Sequence, residues 1–133
     1  MKYTIRKHFR FEAAHSLPAL PMAHKCHWWH GHSYRVTLCL SSDTLDQYGF
    51  VKDYGELNEF KDVVMSLDHK TLLSQSQRLD VAPANIVCLP VAHTSAEMLA
   101  EWLLGKAVAF YGDKVRWIEV SETETSAARV YAQ

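Results

Sequence analysis

From Tyr3 to His15 the odd positions read Tyr3, Ile5, Lys7, Phe9, Phe11, Ala13 and His15, and the positions between them are mostly polar. A period of two with one apolar face predicts a half-buried strand, broken once by Lys7. Further on the phase moves to even positions. His32, Tyr34, Val36, Leu38 and Leu40 alternate with Ser33, Arg35, Thr37, Cys39 and Ser41, which predicts a second strand. Between the two, Ser16 to Trp29 contains Pro18 and Pro21 and reads as a long loop. Asp53, with Glu56 three residues on, has the form of a capped helix start, and Leu57, Phe60, Val63, Val64 and Leu67 continue at helical spacing. The stretch from Ser74 to Pro90, broken by Pro83 and Pro90, reads as loop.

Thr94-Ser95-Ala96-Glu97 repeats the capping pattern and opens a second helix through Leu99, Trp102 and Leu103 to about Phe110. Gly112-Asp113 makes a turn, Val115 to Glu122 a third strand, and Ala127 to Tyr131 a short fourth. The order is ββααββ. It predicts one α+β domain over residues 1–133, with a four-stranded antiparallel sheet and both helices on one face.

A chain of 133 residues fits a single domain, and 48% hydrophobic content is enough for a real core. A core of this size is modest, and association of copies is a common way to bury more surface. The formal net charge of −1 gives no default attraction to nucleic acid or to an anionic membrane. No apolar run approaches the ~20 residues of a membrane span. The first residues alternate polar and apolar and lack the apolar stretch of a signal peptide, so the expected location is the cytoplasm. Three cysteines, Cys26, Cys39 and Cys88, are too few and too scattered for a disulfide framework. Cys39 and Cys88 lie in apolar surroundings and read as buried fillers. Cys26 differs, because it sits among histidines. Four of the eight histidines, His24, His27, His30 and His32, fall in one short stretch.

Residues two apart on a strand share a face, so His30 and His32 project together. His32 is in phase with Tyr34, Val36, Leu38 and Leu40, and His15 with Phe9, Phe11 and Ala13. If the two strands pair antiparallel, the end of the first meets the start of the second, and three imidazoles converge at one end of a buried face. Three histidines with an open fourth position are the usual pattern of a catalytic zinc, whereas structural sites are closed by four protein ligands. Zinc is the metal that this donor set and its commonness favour. Cys26 could close the site as a fourth ligand, or act beside the metal as a nucleophile or base with a lowered thiol pKa. Spacing alone leaves both open. His24 and His27 read as loop residues. Glu122 is in phase with Ile118 and Val120, and a carboxylate on that inward face needs a partner.

Phe11-Glu12-Ala13-Ala14-His15, Cys26-x-x-x-His30-Gly31-His32-Ser33-Tyr34, Leu67-Asp68-His69 and Ser121-Glu122-Thr123, in this order, resemble the 6-pyruvoyltetrahydropterin synthase superfamily. The short gap from Cys26 to His30 is more similar to the bacterial 6-carboxytetrahydropterin synthases, which act in queuosine and 7-deazapurine synthesis. The resemblance implies a tunnelling fold, assembled as a homohexamer of two trimers with active sites at subunit interfaces. It implies zinc on His15, His30 and His32, a catalytic Cys26, a proton relay through Asp68 and His69, and Glu122 as the anchor of the pterin ring. Ser95 falls where the family has a Thr/Ser-x-Glu helix start, which implies a secondary role in the pocket. The implied substrate is 7,8-dihydroneopterin triphosphate. The implied product is 6-carboxy-5,6,7,8-tetrahydropterin, with triphosphate and acetaldehyde released. Related expectations are a paralogue that forms a 6-pyruvoyl product or cleaves dihydroneopterin. A different class is a non-catalytic metal module that binds a pterin or purine.

Overall fold

A computed structural model describes residues 1–80 and 83–133. The strands are β1 (Tyr3–His15), β2 (His30–Ser42), β3 (Lys70–Leu73), β4 (Ile86–Cys88), β5 (Val115–Thr123) and β6 (Ser126–Tyr131), and the helices are α1 (Asn58–Met65) and α2 (Ala96–Tyr111). They form one sheet in the order β4-β3-β1-β2-β5-β6. β1, β2, β5 and β6 pair antiparallel as the alternation predicts, while β3 runs parallel to β1 and β4 parallel to β3. The sheet is therefore mixed and six-stranded, which corrects the four-stranded antiparallel expectation. The two added strands have only four and three residues. Runs that short contain too few repeats for a period of two to stand out.

Both helices pack on the face formed by odd positions of β1 and even positions of β2. Phe9, Phe11, Tyr34, Val36, Leu38 and Leu40 meet Phe60 and Val64 of α1, Leu99, Leu103 and Ala107 of α2, and Ile118 and Val120 of β5 in one core. The Phe9 and Phe60 rings meet edge to face at 5.4 Å. Lys7, the break in the alternation, is exposed. β5 changes phase along its length, with Val115 buried at one end and Ile118 and Val120 further on. The register shift between Cys39 and Leu40 accounts for this, since an extra residue in one strand turns the residues beyond it to the other face. Cys39 is buried as expected, but Cys88 is exposed on the short β4, which overturns its reading as a filler. Among the described residues no helix is long and apolar enough to cross a membrane.

Helix starts differ from their expected form. Asp53 does cap, accepting from the Gly55 N–H, but it caps a 3-10 turn over Tyr54–Glu56 and α1 begins at Asn58. The cap of α2 is Ser95, whose hydroxyl accepts from the Met98 N–H. Three residues on from that cap stands Met98, so Glu97 completes no capping box. It still lies in the first turn, where a negative charge suits the helix dipole. α2 ends at Gly112, whose φ of 62° is a left-handed conformation that a side chain would strain.

Candidate metal centre

The pairing of β1 with β2 puts His15 opposite His30 and Ala13 opposite His32. The last residue of one strand thus meets the first of the next, and the three imidazoles converge. Their ring centroids are 4.6, 4.9 and 5.2 Å apart, and one ligand atom from each lies within 4.8 Å of the others. His15 is fully buried. The Nε2 atoms of His15, His30 and His32 are all buried and have no hydrogen-bond partner in the protein. Three converging unpaired nitrogens would be costly unless something binds them.

The opposite ring nitrogens explain which atom is presented. His15 Nδ1–H donates to the Thr94 carbonyl at 2.8 Å, and His30 Nδ1–H donates to the Trp28 carbonyl at 2.7 Å. A proton held on Nδ1 leaves the Nε2 lone pair free, the usual way in which metal-ligating histidines are oriented. Burial lowers the pKa of His15 to about 4, aided by the neighbouring His30 and His32 and opposed by the bond to Thr94. Burial also lowers that of His32, while the Glu122 carboxylate pulls it up and His30 pushes it down. Both rings are thus held in the neutral, ligating form around pH 7. The donor set fits a divalent transition metal.

Glu122 lies at an irregularity of β5, between the pairs Ser121–Ala127 and Thr123–Ser126. Its carboxylate keeps to the inward face shared with Ile118 and Val120, as expected, and comes to 3.5 Å from His32 Nε2, half-buried. Cys26 sits in a 3-10 turn, Lys25–His27, at the end of the long loop. Its N–H donates to His24 Nδ1 at 3.0 Å and its carbonyl accepts from the Leu17 N–H at 2.9 Å. The metal-capable cluster among the described residues consists of the three histidines without Cys26, which speaks against a closed site of four protein ligands. His24 and His27 serve the loop, as expected, the second through a 2.8 Å bond to the Leu20 carbonyl.

Asp68 and His69 occupy a different corner. One Asp68 oxygen accepts from the Glu12 N–H and the other from His69 Nδ1–H, both at 2.8 Å. The His69 N–H donates to the Glu12 carbonyl at 2.6 Å. These bonds hold His69 at a φ of 59°, strained for a side chain of this size. The bond from Glu12, then that from His69, keeps the Asp68 carboxyl below its ordinary pKa. The His69 side chain is 78% exposed and stands outside the histidine cluster. It lines a cleft of about 660 Å³ together with His32, Lys70, Glu12, Ser33 and Asn85.

Two residues with direct bonds to the clustered histidines, Thr94 and Trp28 through its carbonyl, escape the pattern of the sequence. Trp28 has no readable signal, because a backbone oxygen does the work. Thr94 had one: in a Thr-Ser pair only one residue can be the cap, and the other hydroxyl is left for another partner.

A family model described as 6-pyruvoyl tetrahydropterin synthase matches residues 4–133. A Synechocystis protein named 6-carboxy-5,6,7,8-tetrahydropterin synthase is 32% identical over 136 residues, covering 98% of this chain and 94% of its own. A relative of the same name from Aquifex aeolicus is 31% identical over 87 residues, 55% of this chain and 54% of its own. Among solved structures, an uncharacterised protein from Wolinella succinogenes superposes with a TM-score of 0.83 at 24% identity, covering 98% of both chains. The 6-pyruvoyltetrahydropterin synthase of Plasmodium vivax does so with a TM-score of 0.77 at 20% identity, covering 99% of both. At these identities the two structures share the fold.

Proposed function

The chain belongs to the 6-pyruvoyl tetrahydropterin synthase family, and from that premise we propose that it is a zinc-dependent lyase, a cytoplasmic 6-carboxy-5,6,7,8-tetrahydropterin synthase. It converts 7,8-dihydroneopterin triphosphate to 6-carboxy-5,6,7,8-tetrahydropterin, releasing acetaldehyde and triphosphate, as a step of queuosine and other 7-deazapurine synthesis. The observation that carries the metal-dependent part is the triad of buried Nε2 atoms on His15, His30 and His32, none of them in a hydrogen bond within the protein. The choice of product rests on the similarity to the Synechocystis protein of that name.

Zinc held by the three histidines would supply Lewis acidity toward the side-chain oxygens of the pterin. The remaining roles belong to side chains. Cys26 takes a proton from the substrate side chain as its thiolate. His69 carries protons, and Asp68 holds the imidazole in one tautomer and supports its positive form, as its 2.8 Å bond to Nδ1 allows. Glu122 accepts two hydrogen bonds from the guanidine-like edge of the pterin, a planar bidentate match. Ser95 has a secondary place in the pocket beside its capping bond.

We further propose a homo-oligomer in the tunnelling-fold manner, a hexamer of two trimers with active sites between subunits. Two observations favour it. The His69 side chain is largely exposed in a cleft it shares with His32, where a neighbouring subunit has access to it. β4 and β6 are open edges of the sheet among the described residues, and joining edges into a barrel removes that exposure.

The test is to mix zinc-loaded protein with dihydroneopterin triphosphate and identify the products by mass. Acetaldehyde with a 6-carboxy pterin supports the assignment. A 6-pyruvoyl product would move the chain to the other branch of its family, and absence of turnover would leave a binding module.

A further inference from the structure

Thr94 has no exposed surface, although it is polar. It directly precedes Ser95, the cap of α2. Because Ser95 takes the capping bond, the Thr94 hydroxyl is free. It donates to the Ser16 carbonyl at 3.4 Å, which leaves its lone pairs toward His15 Nδ1 at 3.2 Å. The Thr94 carbonyl accepts from the same Nδ1–H at 2.8 Å. One residue thus offers two oxygens to a single imidazole N–H. His15 and Thr94 are both fully buried, so bulk water does not compete for this N–H.

We infer that Thr94 is a positioning residue of the metal centre. Its two oxygens fix the tautomer and the ring angle of His15, and so tie the first turn of α2 to the ligand set. This rests on the metal reading proposed above. A clamp of this kind also works in reverse, since coupling between two sites is mutual. When the histidines are drawn together by a metal, the start of α2 is held more firmly.

The experiment compares wild type, Thr94→Val and Thr94→Ser, each prepared metal-free and titrated with zinc against a competing chelator. Valine keeps the shape and the carbonyl but loses the hydroxyl, whereas serine keeps both oxygens. Thr94→Val is expected to bind zinc about tenfold more weakly, the lower end of what removal of such an outer partner does. Its cobalt-substituted form is expected to show a shifted visible spectrum. Thr94→Ser is expected to match wild type in both. In wild type, zinc is expected to slow amide exchange over residues 95–99, and less so in Thr94→Val. Equal zinc affinity and equal cobalt spectra in Thr94→Val, even with a lowered melting temperature, would reduce Thr94 to a packing residue. If Thr94→Val does not fold, the wild-type exchange decides, and no change with zinc over residues 95–99 overturns the inference. Failure of wild type itself to bind zinc would instead remove the metal reading, a result separable from the rest.

Discussion

The histidine cluster and the Asp68–His69 corner lie at the same end of the sheet and are built in opposite ways. In the cluster the three Nε2 atoms are buried and lie close together, and carbonyls fix the His15 and His30 rings from behind. The corner is fixed through its backbone and its carboxylate, and its imidazole faces outward. The first arrangement draws its three nitrogens from one chain, at a spacing compatible with a metal ion. The second holds His69 at a positive φ and leaves exposed the imidazole proposed above as a proton carrier. On the function proposed above, the difference predicts that metal binding and turnover can be lost one at a time.

The sharpest break is on the metal side. His32→Ala is expected to abolish stoichiometric zinc binding and turnover together, read by metal analysis of purified protein and by product assay. Removing the metal with a chelator should do the same to wild type, and added zinc should restore it. Next comes the corner. Asp68→Asn is expected to lower turnover on the order of a hundredfold while zinc content stays unchanged; loss of zinc in this variant would merge the two regions into one. Glu122→Gln is expected to weaken substrate binding by roughly 2 kcal/mol through loss of charge-assisted bonds, seen in KM. Smaller is Ser95→Ala, expected to lower stability by about 1 kcal/mol through loss of the cap. A rise in KM alongside would give Ser95 its place in the pocket, and an unchanged KM would leave it a cap alone. Smallest is the pH effect of Asp68. Its pKa is lower folded than its ordinary 3.8, so its stabilising contribution is full above that value and is lost as pH falls through the folded value. Urea unfolding of wild type and Asp68→Asn should therefore converge at strongly acidic pH.

Much of this was readable because long strands repeat their pattern. Thirteen residues of β1 and thirteen of β2 put His15, His30 and His32 in phase with buried neighbours, and antiparallel pairing then brought them together. β3 and β4 were too short to show a period, and β4 lies in a stretch broken by proline. The inward direction of Glu122 followed from its phase with Ile118 and Val120, whereas the bulge beside it is a property of two strands together and has no signature in one. The exchange of roles between Thr94 and Ser95 was hidden because either residue type can cap. The contact that decides between them joins positions 79 apart in the chain.

β1 carries both regions on its last few residues. Glu12 takes the bonds that fix Asp68 and His69, and three positions on, at the other face, stands His15. An extended strand is a stiff ruler of about 3.3 Å per residue with strict alternation of faces. One inserted residue between Glu12 and His15 would send the imidazole to the wrong face, and two would restore the face but displace it along the strand. This short tract therefore tolerates exchange of side chains far better than any change in length.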